Sequence, residues 1–177
     1  MQFKVKDIGE DGLDVDLPIT ASWLERECPD AGVAVGPKGV RFTGRLERSA
    51  DDYLLRGRLS GAFVTPCARC LEPAALPLAV DVSVVYVEEF AGGAAKDADD
   101  EDDDAPDVIR FTEGLVDLGS ELREEILLAL PVSVLCREDC AGLCPVCGGN
   151  RNTSPCACEE RQRQQQSKFA ALAKLKS

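Results

Sequence analysis

Eight of the nine cysteines in this chain stand in closely spaced groups, and none of its 177 residues is a histidine. Cys67-Ala68-Arg69-Cys70 is a C-x2-C pair, and Cys136-Arg137-Glu138-Asp139-Cys140 is a C-x3-C pair. Cys144-Pro145-Val146-Cys147-Gly148 is a second C-x2-C pair in the form of a zinc-ribbon knuckle, and Cys156-Ala157-Cys158 closes the series. Two thiolates separated by two residues can turn toward one ion, while backbone N–H groups of the tight turn point at the sulfurs. A glycine after the second cysteine permits the positive φ that such a turn requires. Four thiolates at about 2.3 Å complete a closed tetrahedral site that leaves no position for a substrate. Without histidine no imidazole base, Ser-His-Asp triad or Cys-His dyad can form, so any metal must be held through sulfur or oxygen.

Eight ligands suffice for two structural Zn2+ sites. One partition joins Cys67, Cys70, Cys136 and Cys140, and leaves Cys144, Cys147, Cys156 and Cys158 as a compact second site. The rival joins Cys67/Cys70 to Cys144/Cys147 as a conventional ribbon. The first is preferred because the C-terminal four close a short loop of their own at low entropic cost. It also ties the predicted sheet to the segment after the main helix. An iron–sulfur cluster uses the same thiolates, and spacing alone does not separate it from zinc. A thioredoxin-like motif would open a helix, whereas Pro66 precedes Cys67 and Glu72-Pro73 follows Cys70. Disulfides require export, and the charged start Met1-Gln2-Phe3-Lys4-Val5-Lys6-Asp7 offers no apolar leader. No stretch approaches the roughly 20 apolar residues of a membrane helix. A cytoplasmic protein with reduced thiols is the expectation. Cys28 stands apart and reads as a small buried hydrophobe.

The rest of the chain reads as α+β: an antiparallel sheet or partly open barrel, a few helices, and a C-terminal cysteine-rich zinc-binding module. Residues 1–90 are mainly strand. Val40 to Arg48 and Tyr53 to Ser60 alternate around a turn at Ser49–Asp52, and a long strand runs from Leu76 to Phe90. A short helix over Thr20–Cys28 has Thr20 or Ser22 as its cap and Pro29 as its stop. Residues 91–107 hold eight acidic residues against one lysine, too much like charge to bury, and read as a disordered loop. Residues 108–135 supply a strand and a helix completing the same domain. Leu115, Leu118, Leu122, Ile126 and Ala129 share one helical face, and Pro131 ends the run. Residues 136–177 form the cysteine module and a final helix carrying Phe169, Leu172 and Leu175.

The net charge is −12, which opposes a broad electrostatic grip on RNA. Two local exceptions are Arg41, Arg45, Arg56 and Arg58 on one face of the predicted hairpin, and the basic segment 161–177. The acidic loop suits a basic protein partner instead. No phosphate-cradling glycine loop or Walker motif is present, and Glu124/Glu125 read as a solvated helix face.

Cys67-Ala68-Arg69-Cys70-Leu71-Glu72-Pro73, the helix from Asp117-Leu118 through Glu124-Glu125-Ile126 to Pro131, and Cys140-Ala141-Gly142-Leu143-Cys144-Pro145-Val146-Cys147-Gly148 together resemble the bacterial YceD family. Asn150, Asn152, Cys156-x-Cys158 and Phe169-Ala170-Ala171-Leu172 also look like its C-terminal pattern, with Ser167-Lys168 where Asp-Pro-Arg is usual. The resemblance implies a large ribosomal RNA subunit accumulation protein, supporting the synthesis, processing or stability of that RNA. The implied partners are ribosome-assembly components, large-subunit rRNA or a basic ribosomal protein. It also implies ligands at Cys67, Cys70 and Cys140. A non-enzymatic factor with no small-molecule substrate is the leading expectation; a thiol-based redox or metal sensor and an RNA-processing enzyme are the alternatives.

Overall fold

A computed structural model describes residues 1–89, 107–154, 156–158 and 161. The expected acidic loop lies outside these apart from Asp107, as does the expected final helix apart from Arg161. In chain order the elements are β1 (Gln2–Lys4), β2 (Leu13–Pro18), α1 (Ala21–Glu27), β3 (Ala34–Ser49), β4 (Asp52–Pro66), β5 (Pro73–Glu88), β6 (Asp107–Phe111), β7 (Leu115–Asp117) and α2 (Leu118–Ala129). This is an α+β chain.

Two compact units divide it. The first comprises Met1–Val64 and Ala75–Pro131, and the second Thr65–Ala74 and the chain from Val132. A five-stranded sheet runs in the order β2-β3-β4-β5-β6, open at both edges, while β1 and β7 form a separate two-stranded sheet. The expected hairpin is β3–β4, with Leu46 opposite Leu55, Phe42 opposite Leu59, and a turn between Ser49 and Asp52. Alternation of apolar and polar residues fixes that register, since a one-residue slip would turn the whole apolar set to water. β6 differs from the rest of the sheet: it joins β5 in parallel, Tyr86 opposite Ile109. A parallel neighbour needs a connection of a dozen or more residues, and the chain from Glu88 to Asp107 is long enough.

The core of the first unit fills one face of this sheet. Phe42, Leu46, Leu55, Leu59, Phe63, Val82, Val84 and Tyr86 are buried there, with Trp23 and Leu24 of α1 and Leu118, Leu122 and Ile126 of α2. Each large side chain so buried contributes about 1.5–3 kcal/mol of transfer free energy. Cys28 lies in this core, as the sequence implied.

Both helices start on a side-chain cap. Thr20 Oγ1 accepts from Trp23 N at 3.2 Å, and Asp117 Oδ1 accepts from Gly119 N at 2.8 Å. Asp117 is also the last residue of β7, so Leu115, read from the sequence as the start of the helical face, pairs as a strand residue with Lys4. α2 is held to α1 by Arg123 Nε, which donates to the Glu27 carbonyl at 2.7 Å. Glu121 sits within the apolar stripe of α2 and is only 6% exposed. Burial, with Glu124, Asp107 and Glu125 nearby, pushes its carboxyl up to about 7.

Candidate metal centres

The second unit is organised around sulfur. Cys67 and Cys70 lie in the turn between β4 and β5, and Cys136 and Cys140 follow α2. Their four Sγ atoms lie within 4.8 Å of one another, as do those of Cys144, Cys147, Cys156 and Cys158. The Cys67 knuckle and the Cys144 knuckle fall in separate groups, not in one ribbon. The Sγ separations are 3.8 Å for Cys67–Cys140, 3.6 Å for Cys70–Cys136 and 3.8 Å for Cys147–Cys156. A regular tetrahedron with metal–sulfur bonds of about 2.3 Å has edges of about 3.8 Å, whereas a disulfide needs about 2.05 Å. Either group can therefore hold one metal ion.

The surroundings of the two groups differ. Cys67, Cys70 and Cys140 are buried with Ala74, and Val134, Leu135 and Leu143 pack against them; Cys136 is exposed. The first group is thus the core of its unit. In the second, Cys144 is buried, Cys147 and Cys156 are exposed and Cys158 is half-buried.

The two C-x2-C knuckles share one backbone geometry. Arg69 N donates to Cys67 Sγ at 3.4 Å, and Val146 N donates to Cys144 Sγ at 3.5 Å. Leu71 N bonds the Cys67 carbonyl at 3.0 Å, and Gly148 N bonds the Cys144 carbonyl at 2.8 Å. Both knuckles end in the left-handed region, at φ 64° for Leu71 and 71° for Gly148.

These amides shape the electrostatics. Backbone N–H groups, that of Cys136 foremost, hold the Cys67 thiol down to about 6, and those of Cys147 and Val146 do the same for Cys144. Burial, then the sulfurs of Cys70, Cys140 and Cys67, pushes Cys136 up to about 12. The neighbouring sulfurs of Cys156 and Cys147, then burial, push Cys158 up to about 12. Four thiolates so close repel one another, and a bound metal cation would allow all four to ionise together.

Hydrogen bonds knit the unit around both groups. Arg69 Nη1 donates to the carbonyls of Cys140 at 3.1 Å and Glu138 at 3.4 Å, and Leu143 N donates to the Arg69 carbonyl at 3.0 Å. Gly142, at φ 70°, lies where an added Cβ would stand 3.1 Å from that same carbonyl, so the conformation favours glycine and the space beside it is tight. Asn152 Oδ1 accepts from Arg137 Nη2 at 2.7 Å and Ala141 N at 2.8 Å, while its Nδ2 donates to Cys140 Sγ at 3.4 Å. The bonding roles of Arg69 and Asn152 lie outside what cysteine spacing can reveal.

The arginines expected on one sheet face are there, Arg45 opposite Arg56, but Arg41, Arg45 and Arg58 are matched by carboxylates. Arg45 bonds Asp14 at 2.7 Å and Glu47 at 2.8 Å, Arg58 meets Asp81 at 3.1 Å, and Arg41 pairs with Asp16. β2 and β5 thus bring three acids alongside and β3 itself supplies Glu47, so no uncompensated basic field is left at these three arginines. Among the described residues, no helix is long and apolar enough to cross a membrane.

The fold and its two sulfur groups define an α+β protein with a cysteine-rich unit able to hold metal. The chain belongs to the YceD family: the family described as large ribosomal RNA subunit accumulation protein YceD matches residues 55–176. An uncharacterized protein of Mycobacterium tuberculosis is 36% identical over 104 residues, covering 59% of this chain and 47% of that protein. A maize chloroplast protein, named large ribosomal RNA subunit accumulation protein YCED homolog 1, is 29% identical over 159 residues, covering 77% of this chain and 52% of its own. The Bacillus subtilis protein YlbN is 26% identical over 137 residues, covering 77% of this chain and 73% of its own. The chain spans about half the length of the first of these relatives. No solved structure matches it.

Proposed function

We propose that this chain is a non-enzymatic accessory factor of ribosome biogenesis, acting in the cytoplasm. It supports the synthesis, processing or stability of large-subunit ribosomal RNA by binding assembly components. The family match over residues 55–176 carries this reading. In this reading each four-cysteine group, Cys67/Cys70/Cys136/Cys140 and Cys144/Cys147/Cys156/Cys158, holds one structural Zn2+. The near-tetrahedral sulfur spacing supports that assignment, and four protein ligands leave the ion no open position for catalysis. The partner is a component of the assembling large subunit, either its RNA or a basic ribosomal protein.

A strain lacking the gene, complemented by the wild-type chain, tests the function. Large-subunit rRNA should fall relative to small-subunit rRNA on deletion and recover on complementation. An unchanged ratio overturns the reading, and cleavage of precursor rRNA by purified protein replaces it with an enzymatic one. Elemental analysis should find two zinc ions per chain; iron, or no metal in freshly reduced protein, overturns the zinc assignment. Three of the four cysteines in the second group reach solvent, and this favours a thiol-based sensor as the second reading. Reversible metal loss under mild oxidation, with a matching change in rRNA level, would favour it over the structural one.

A further inference from the structure

We propose that Asn152 is a positioning residue that couples metal loading of the two sulfur groups, so that the first binds its ion tightly only when the second is filled. The proposal rests on the metal-binding reading above. Asn152 belongs in sequence to the second group, within the eight residues between Cys147 and Cys156. Its side chain, however, is spent on the first. Ala141 N–H and the Arg137 guanidinium are obligate donors, and both meet the Asn152 amide on one side, at 2.8 Å and 2.7 Å. That side must therefore be the oxygen, and the NH2 must face Cys140 Sγ at 3.4 Å and Asn150 Oδ1 at 2.9 Å. All four bonding positions of the amide are filled, so its orientation is fixed.

A donor aimed at a ligand sulfur favours the metal-bound thiolate, and it also fixes where Cys140 points. Outer partners of this kind typically tune metal affinity by about 10–100-fold. The turn that carries Asn152 is part of the loop between Cys147 and Cys156 of the second group, although Asn150 Nδ2 also donates to Glu72 Oε1 beside the first knuckle at 3.4 Å. The Asn150–Asn152 turn is anchored by Arg151 N to the Gly142 carbonyl at 2.9 Å and by Cys144 N to the Gly149 carbonyl at 2.8 Å. Beyond it the chain returns to exposed Cys156. Metal bound by Cys147 and Cys156 closes this loop; without metal, ordering it has an entropic cost that the Asn152–Cys140 bond must overcome. Coupling of this kind is reciprocal, so filling the first group also tightens the second.

The test uses the full chain and zinc alone, read by native mass spectrometry and by competition with a chromophoric chelator. At one equivalent of zinc, wild type should show empty and doubly loaded chains in excess over singly loaded ones. Asn152→Asp keeps the acceptor contacts to Ala141 and Arg137 but removes the donor to Cys140. It should abolish that excess and weaken the first site about 10–100-fold. Cys156→Ser/Cys158→Ser should weaken the first site by a similar factor, and the triple variant no further. Circular dichroism of each variant checks that the sheet remains. Independent, statistical loading of two zinc ions by wild type, or additive losses in the triple variant, overturns the coupling while leaving the metal sites standing. Failure of wild type to bind zinc overturns both.

Discussion

Gly44 faces Gly57 across β3 and β4, and the ring of buried Phe42 lies over both. A Cβ on Gly44 would stand 2.7 Å from Phe42 Cζ and 2.5 Å from the Arg56 carbonyl oxygen; on Gly57 the distances are 2.5 Å to Cζ and 2.6 Å to the Thr43 carbonyl oxygen. The glycine pair is therefore the space the aromatic ring occupies, a close approach that glycine in a strand interior commonly marks. Gly57→Ala should cost about 1–3 kcal/mol by overpacking. Adding Phe42→Leu, which removes Cζ, should recover part of that loss and leave the part due to Thr43. Denaturant midpoints of the two single variants and the double variant give the coupling. If alanine costs the same with and without the ring, the ring is not the obstacle.

The first knuckle ends on Leu71 where the second has Gly148, although both residues have nearly the same positive φ. A non-glycine residue held there is strained by roughly 1–2 kcal/mol, and the Leu71 side chain is 65% exposed, with little packing to offset it. Glycine would relieve the strain but free the unfolded chain by about 0.5–1 kcal/mol. Leu71→Gly should thus leave thermal stability equal or higher by up to about 1 kcal/mol, whereas Gly148→Leu, with the same two effects reversed, should lower it by up to about 1 kcal/mol. A marked loss in Leu71→Gly would assign the exposed side chain a contact worth more than the strain.

These two sites show where the sequence is readable and where it is not. The β3–β4 hairpin, the Thr20 cap and the apolar face of α2 follow from local periodicity and capping chemistry, which act over a few residues. The knuckles do too, because C-x2-C geometry is a property of one turn. Two features needed the third dimension. β6 pairs in parallel after a long connection, which alternation does not encode. Arg45 and Arg58 read as basic until β2 and β5 bring Asp14 and Asp81 beside them. Glu121 was legible in principle: it stands three residues after Leu118 and directly before Leu122, inside the stripe, but charge alone places it outside.

Glu121 yields a pH prediction. Its carboxyl is raised to about 7 by burial and by its acidic neighbours, so the native state holds its proton more firmly than the unfolded chain does. Stability from this group is full below the unfolded value near 4.5 and declines as pH rises through 7. Glu121→Gln removes the charge that must be buried. At pH 8 the variant should be more stable than wild type by on the order of 1–2 kcal/mol, and the difference should vanish below about pH 4. Urea unfolding at the two pH values checks this; an advantage independent of pH would trace the gain to packing instead of ionisation.

The sheet's outer face supplies the last prediction. Arg58 lies 3.1 Å from Asp81 on the neighbouring strand, both largely exposed, so reversing one charge sets two carboxylates side by side. Arg58→Asp alone should cost about 0.5–1 kcal/mol, and Arg58→Asp with Asp81→Arg should restore most of it. The same pair of variants tests whether RNA touches this face. Paired arginines project little net field, and the exchange leaves the net charge as it was. The swapped protein should therefore rescue the ratio of large- to small-subunit rRNA as well as wild type does, with the same salt dependence of its association with assembly particles. If the swap restores stability but not the rRNA ratio, and its association is weaker with a shallower salt slope, then Arg58 contacts phosphate directly. The binding surface would then be this face of the sheet, in spite of its balanced charge.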